Sequence, residues 1–295
     1  MRFIVLLAVL CVAGVIGKPF ELGWFKDEYI RTKVFPIAAA AYSETPEDCV
    51  KNTFPNGTVL EKVRRLCGDG YVEPELCFAF IGVDHTEKVI FMSFRGTRGL
   101  IQLAYEARRT VFKNRIQVET GGTVSEYFYS VYRSILDTGI SAEFIKLFAQ
   151  NPHYEVLVTG HSLGGAMASI AAMDLVHMAK VPSEQVKLVT FGQPRTGDQK
   201  FAEDHDRLIP HTYRITHGRD IVPHVPPVGF EGYNHHTSEV WYNNNMLPGD
   251  DYIVCEEQED YKCSNSNYLN YSILAHLYYY NLMVSDYGMK GCPAS

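Results

Sequence analysis

One stretch, residues 155–169, constrains this chain more than any other. Its apolar, β-branched part (156–159) stops at Gly160, and His161-Ser162-Leu163-Gly164-Gly165 leads straight into a run of small residues with helical character. The pattern predicts a strand, a turn too tight for large side chains, and a helix, with Ser162 at the apex. Gly160, Ser162 and Gly164 form a G-x-S-x-G pattern, whose meaning depends on that strand–turn–helix context. The glycines let strand and helix approach closely, while the serine is expected in a strained backbone conformation that exposes its hydroxyl. The helix N-terminus, with unpaired N–H groups and a partial positive charge, points to where an oxyanion would develop. Ser162 is therefore the candidate nucleophile.

Strands and helices alternate along the rest of the chain. Residues 77–83 and 88–94 read as short apolar strands joined by a hairpin-type connection. Residues 27–43 read as a helix that Pro36 kinks or starts, and residues 44–76 read as loop. Residues 124–150 repeat every 3.6 residues and predict one or two helices. A strand at 185–191, a short helix at 198–205 and a strand at 211–216 follow. This order implies an α/β fold class, with a mostly parallel central sheet and helices on both faces. Ligands in such sheets lie beyond the carboxyl ends of the strands. Thr97, Ser162 and the residues after Thr216 all fall at expected strand ends. No linker, low-complexity run or repeat breaks the middle, so residues 18–295 are expected to form a single domain.

The N-terminus reads as an address. Behind Arg2, residues 3–16 are an unbroken apolar run that ends in small residues and Gly17 before Lys18. That length fits a signal-peptide core and is short for a membrane span. Residues 1–17 are thus expected to direct secretion, and no later window is long and apolar enough to cross a bilayer. Without Cys11, six cysteines remain: Cys49, Cys67, Cys77, Cys255, Cys263 and Cys292. An even number in an exported chain implies three disulfides, with fifteen pairings open. Cys255 and Cys263 bracket a polar turn and suggest a local clasp. Sequons at Asn56 and Asn270 are candidate glycosylation sites. The formal charge of −7, with acid and base mixed along the chain, argues against a nucleic-acid partner, which needs a basic face. The sequence holds no H-E-x-x-H, paired C-x-x-C or phosphate-binding loop, so no metal or cofactor is expected.

A serine hydroxyl is a weak nucleophile at neutral pH and needs a base, usually an oriented histidine. On this architecture the partners follow in the order serine, acid, histidine. Asp198, Asp204 and Asp206 fall in or beside the expected short helix. Asp220 instead follows the strand at 211–216, and the proline-rich run 222–227 stiffens its loop. The candidate bases are His224, His235, His236 and His276. His224 has too little chain between itself and Asp220 to swing opposite it. His276, at the start of a helical run after the clasp, and the His235-His236 pair both stay open on these grounds.

Four blocks resemble, in the right order, those of class 3 lipases: Phe94-Arg95-Gly96-Thr97, His161-Ser162, Thr190-Phe191-Gly192-Gln193-Pro194-Arg195 and Arg219-Asp220-Ile221-Val222-Pro223. These are the fungal-type triacylglycerol lipases of the α/β-hydrolase fold, and the similarity runs from about Lys33 to His276. The resemblance implies a catalytic triad of Ser162, Asp220 and His276, with His235 or His236 in a structural position. It implies an oxyanion hole made by Thr97, through its backbone N–H and hydroxyl, and by the Leu163 N–H. It also implies that Cys49–Cys292 joins the N-terminal region to the C-terminus. Cys255–Cys263 matches the family's local clasp, which leaves Cys67–Cys77 as an extra pair. Part of residues 98–110 would form a lid over an acyl groove, with Leu100, Ile101, Leu103 and Tyr105 covering Ser162 in water and turning outward at a lipid surface. The chain departs from the fungal pattern at residues 124–128, which lack the usual His and Gly, and around the lid.

The expected function is that of a secreted serine lipase, hydrolysing the carboxylic esters of acylglycerols at a lipid–water interface through an acyl-enzyme. The alternatives are an esterase on phospholipid or another ester class, such as aromatic acyl-sugars, and an inactive lipase-like protein that binds lipid. The sequence specifies no oligomeric state. N-terminal sequencing of exported protein is expected to start at or near Lys18, and a start at Met1 would reject the signal.

Overall fold

The computed structural model describes residues 24–67, 75–96, 111–267 and 269–294. The expected leader at 1–17, Thr97, and the expected lid residues Leu100, Ile101, Leu103 and Tyr105 lie outside the described residues.

Eight strands form the main sheet and lie side by side in chain order. They are β1 (Gly57–Cys67), β2 (Glu75–Asp84), β3 (Val89–Phe94), β4 (Glu155–His161), β5 (Val186–Phe191), β6 (His211–His217), β7 (Glu239–Tyr242) and β8 (Ile253–Cys255). Strands β3 to β7 run parallel to one another. The pairs β1–β2, β2–β3 and β7–β8 are antiparallel. The architecture is the α/β-hydrolase arrangement of a mostly parallel sheet between helical layers.

Parallel strands covered on both faces need apolar residues on both, and β4 shows the division. Val156 and Val158 enter one core while Leu157 enters the other; Met92 and Leu188 join the first, and Phe91 and Val189 the second. Helix α1 (Phe35–Ala40) covers the second face. Helices α2 (Glu126–Ile135), α3 (Leu163–His177) and α4 (Gln199–Leu208) contribute to the first. Helix α3 is buried over most of its length, so it must be built from small residues where it crosses the strands. A Cβ on Gly164 would collide with the Phe94 carbonyl oxygen of β3, and one on Gly160 with the Gly164 carbonyl oxygen.

Two segments differ from the sequence-based expectation. Residues 44–76, expected as loop, contain a helix (Pro46–Thr53) and the eleven-residue β1. β1 is an edge strand whose Glu61, Lys62, Arg64 and Arg65 are exposed, and a bulge between Val59 and Glu61 shifts its register. Charge along an edge and a register slip together hide a period of two. The helix expected at 27–43 is interrupted. An α-helical turn (Asp27–Tyr29) passes into a wide π turn (Ile30–Val34) before α1 begins, with Pro36 in its first turn. Proline has no N–H to bond back, so the regular ladder fails there.

Among the described residues three disulfides are present: Cys49–Cys292, Cys67–Cys77 and Cys255–Cys263, with sequence separations of 243, 10 and 8. A long closed loop restricts the unfolded chain more than a short one. Replacing Cys49 and Cys292 with serine is expected to cost about 5–6 kcal/mol in a urea titration, and replacing Cys255 and Cys263 about 2.5. Equal losses would mean that native packing, not loop closure, sets both contributions.

Candidate active site

Ser162 sits between the end of β4 and the start of α3 with φ 63° and ψ −129°. A residue with a side chain held at such a φ costs on the order of 1–3 kcal/mol, so its surroundings must fix it. The Ser162 N–H donates to the Phe191 carbonyl (2.8 Å), and its own carbonyl accepts from the Gly165 N–H (2.9 Å). Gly96, just beyond β3, presses against the same turn, where an added Cβ would come within 3.0 Å of the Ser162 Cβ. The serine side chain does not cap α3. Leu163, as the first helical residue, has a backbone N–H with no acceptor inside the helix.

Asp220 and His276 meet on the other side of this corner. The chain leaves β6 at His217 and turns at Gly218 (φ 51°). It then makes a single parallel bridge from Asp220 to Ser272. The Ser272 N–H donates to the Arg219 carbonyl (2.8 Å). Its hydroxyl oxygen accepts from the Ala275 N–H (3.0 Å) and caps the short helix α5 (Ile273–Leu277) that carries His276. His276 Nδ1 lies 2.9 and 2.8 Å from the two Asp220 oxygens. Tyr279 donates its hydroxyl to Asp220 Oδ2 (2.7 Å), and the Val222 N–H donates to Oδ1 (2.8 Å). Both Asp220 and His276 are fully buried. Burial by itself would raise the Asp220 carboxyl. The charge and hydrogen bond of His276, then Tyr279 and Val222, outweigh it and hold the group below its ordinary value. With Nδ1 turned to the acid, Nε2 is the free face of the ring. Neither His276 Nε2 nor Ser162 Oγ has a hydrogen-bond partner among the described residues. Both are buried, and hydrogen bonds of this kind are often long until substrate arrives.

Two further side chains back the histidine. The His161 ring stacks on His276 at 4.4 Å between centroids. Its Nε2–H donates to the His276 carbonyl (2.9 Å), which leaves Nδ1 to accept from the Tyr42 hydroxyl (2.8 Å). Burial, helped by the neighbouring His276, drives the His161 imidazole down to about 3. A neutral ring is what this bonding pattern requires. Arg195 straps the Asp220 loop from below. It donates to the carbonyls of Pro223 (3.2 Å) and Pro226 (2.8 Å) and forms a two-pronged pair with Glu259 (2.8 and 2.6 Å). His235 donates through Nε2 to the Pro223 carbonyl (2.7 Å), and His236 Nε2 lies 3.0 Å from both Ser169 Oγ and Gln193 Nε2. Neither ring bonds Asp220 in the structure.

Tyr279 and Glu259 were not among the sequence candidates. Tyr279 follows His276 by three residues inside an aromatic run, a weak signal; Glu259 lies in an acidic loop with no signal at all. The side chains of His205, Asp206 and His236 bring donor atoms within 4.8 Å of one another. The two imidazoles stack face to face at 3.7 Å and 9°, so their lone pairs run side by side and do not converge on one point. The Asp206 oxygens accept from Thr237 and Gln258.

Residues 91–230 match the family described as lipase (class 3). The chain is 34% identical to a Caenorhabditis elegans protein named as a lipase, over 100% of this chain and 91% of that protein. It is 33% identical to a lipase of Rhizopus niveus over 85% of this chain, and spans 63% of that protein's length. Among solved structures, the Rhizomucor miehei triacylglyceride lipase superposes with a TM-score of 0.74 at 27% identity. That likeness covers 88% of this chain and 97% of the other.

Buried neutral histidines make this fold sensitive to acid. Burial holds His161 and His205 at about 3 and His224 at about 4, against about 6.5 in an unfolded chain. Each ring takes up a proton on unfolding, so stability is full above about pH 6.5 and declines as the pH falls towards the folded values. Between pH 6 and pH 5 the three together are expected to remove about 3.5 kcal/mol of unfolding free energy, and His235 and His236, which burial also pushes down, add to that loss in urea titrations. A flat profile across that interval would show that these rings protonate freely in the folded state.

Proposed function

This chain belongs to the class 3 lipase family, and on that footing we propose that it hydrolyses acylglycerol esters with Ser162 as nucleophile, His276 as base and Asp220 as the acid. The observation that carries the reading is a wholly buried Asp220–His276 pair beside a serine held at positive φ. A protein that merely bound lipid would have no use for that strain.

The chemistry follows from the geometry. Asp220 fixes the proton on His276 Nδ1 and supports positive charge on the ring. His276 Nε2 then removes the Ser162 proton as Oγ attacks the ester carbonyl. The negative oxygen is stabilised by the Leu163 N–H and by Thr97, each such donor contributing about 3–4 kcal/mol. The assignment of Thr97 is supported by its neighbour Gly96, which packs against Ser162. Collapse of the tetrahedral species breaks the bond to the alcohol, which leaves with the His276 proton. Water, activated by the same ring, attacks the acyl-enzyme and releases the fatty acid.

The likeness to the Rhizomucor miehei triacylglyceride lipase and the family resemblance support acylglycerol as the substrate class. We further propose that residues 1–17 direct export and that residues 18–295 are one domain. Three disulfides support that reading, as do the exposed positions of the sequon residues Asn56 and Asn270. Part of residues 98–110 is proposed as the lid, with Leu100, Ile101, Leu103 and Tyr105 as its apolar residues.

A fluorophosphonate probe is expected to label Ser162 in the native enzyme and to leave Ser162→Ala unlabelled. Asp220→Asn should keep the fold and lower kcat about 10³–10⁴-fold, because the tautomer of His276 is no longer fixed. Emulsified triglyceride should outrun phospholipid and short soluble esters on the wild type. Phospholipid as the fastest substrate would reject acylglycerol, and absence of labelling would reject the nucleophile.

A further inference from the structure

The nucleophile helix carries a second feature at its far end. Against its last turns lies a cavity of about 290 Å³. Asp174, at its polar side, is twelve residues beyond Ser162, about 18 Å along the helix axis. Met92, Leu136, Phe144, Ala171 and Leu175 give it an apolar lining. Ile145 and Met178, 57% and 55% exposed, stand at the mouth, where apolar side chains have no packing reason to face water. No residue of the proposed triad contributes to it.

The polar groups on this cavity are few and mostly committed. The Tyr132 hydroxyl donates to Asp174 Oδ2 (3.0 Å), the Ser141 hydroxyl to the Leu136 carbonyl (3.2 Å), and Arg133 pairs with Asp137 (3.0 Å). A carboxylate has about four acceptor positions, so Asp174 retains acceptor capacity beside the apolar walls. Burial raises its carboxyl, although Tyr132 and Arg133 oppose the shift. Two carboxylates against one guanidinium make the site unwelcoming to an anion. A cation would have to surrender its hydration to enter an apolar wall. A neutral hydroxyl meets neither cost and offers the donor that Asp174 can accept. The volume holds about ten groups the size of a water molecule, enough for a medium aliphatic chain.

We propose that this cavity is a second lipid site, taking an aliphatic chain of about eight to ten carbons that ends in an uncharged hydroxyl, with the hydroxyl on Asp174. Long-chain alcohols and the free hydroxyls of partial acylglycerols share this chemistry. The site stands apart from the ester hydrolysis assigned to Ser162, and its test does not depend on turnover.

The probes are 1-octanol, octanoate and octylamine, titrated into the full-length Ser162→Ala protein by ligand-observed NMR and thermal unfolding. Octanol is expected to bind saturably and raise the unfolding midpoint. Octanoate and octylamine should bind at least tenfold more weakly. Ala171→Leu, which fills the cavity, should abolish the octanol effect. Ile145→Asp, an exposed change at the mouth that leaves the core intact, should weaken it at least tenfold even if Ala171→Leu fails to fold. Octanol binding unaffected by Ile145→Asp would put the chain elsewhere and overturn the proposal, as would no binding, or octanoate or octylamine binding as tightly as octanol. Replacing octanol by 1-monobutanoylglycerol, a hydroxyl-ended molecule of about the same length, separates the two sources: binding as tight as that of octanol makes a partial acylglycerol the occupant, and binding at least tenfold weaker makes it a simple alcohol.

Discussion

The structure turns on the burial of one carboxylate. Asp220 has no exposed surface, and a carboxylate taken out of water unaided would sooner bind a proton than keep its charge. What keeps it ionised is a set of donors that converge on it: the His276 ring, the Tyr279 hydroxyl and the Val222 N–H. Two of these come from the short segment 276–279, and one from the loop that carries the acid itself. The chain beyond β6 must therefore return to within hydrogen-bond reach of its own earlier turn. The Asp220–Ser272 bridge, the Ser272 cap on α5 and the Arg195 strap bring that about. The two-pronged Arg195–Glu259 pair, with Arg195 itself fully buried, then fixes the loop from the opposite side.

A second constraint is the corner at Ser162. Its positive φ is held by crowding that only glycine permits at Gly160, Gly164 and Gly96. The small-residue face of α3 serves the same end, since it lets the helix lie directly on β3 and β4. Strain at the apex and close packing beneath it are one arrangement seen from two sides. The stacked His161 ring extends it, because a neutral imidazole there ties the backbone of His276 to Tyr42 near the N-terminus.

How much of this could be read from the chain depends on the distance over which each interaction acts. The strands β3, β4, β5 and β6 and the helix after Ser162 were legible because their apolar runs and bounding glycines are local. β1 was not, because charged residues on an exposed edge and a bulge break its alternation. Helix α4 was legible, and its Asp198 cap accepts from the Phe201 N–H as an N-terminal aspartate should. The family resemblance, not periodicity, separated His276 from His235 and His236. Spacing alone left those three rings equivalent, and Glu259 and Tyr279 carried no pattern that would single them out.

By itself, then, the sequence determined the fold class, the strand–turn–helix at Ser162 and the short list of acids and bases, since those follow from spacing within one element. Spacing could not decide which imidazole faces Asp220, which the family resemblance implied and the tertiary structure shows, and tertiary structure alone decided what supports it. The contacts that do so join residues 56 apart at His276–Asp220, 64 apart at Arg195–Glu259 and 119 apart at Tyr42–His161. No local pattern encodes such pairs, because they exist only once the sheet has closed and water has been driven from between them.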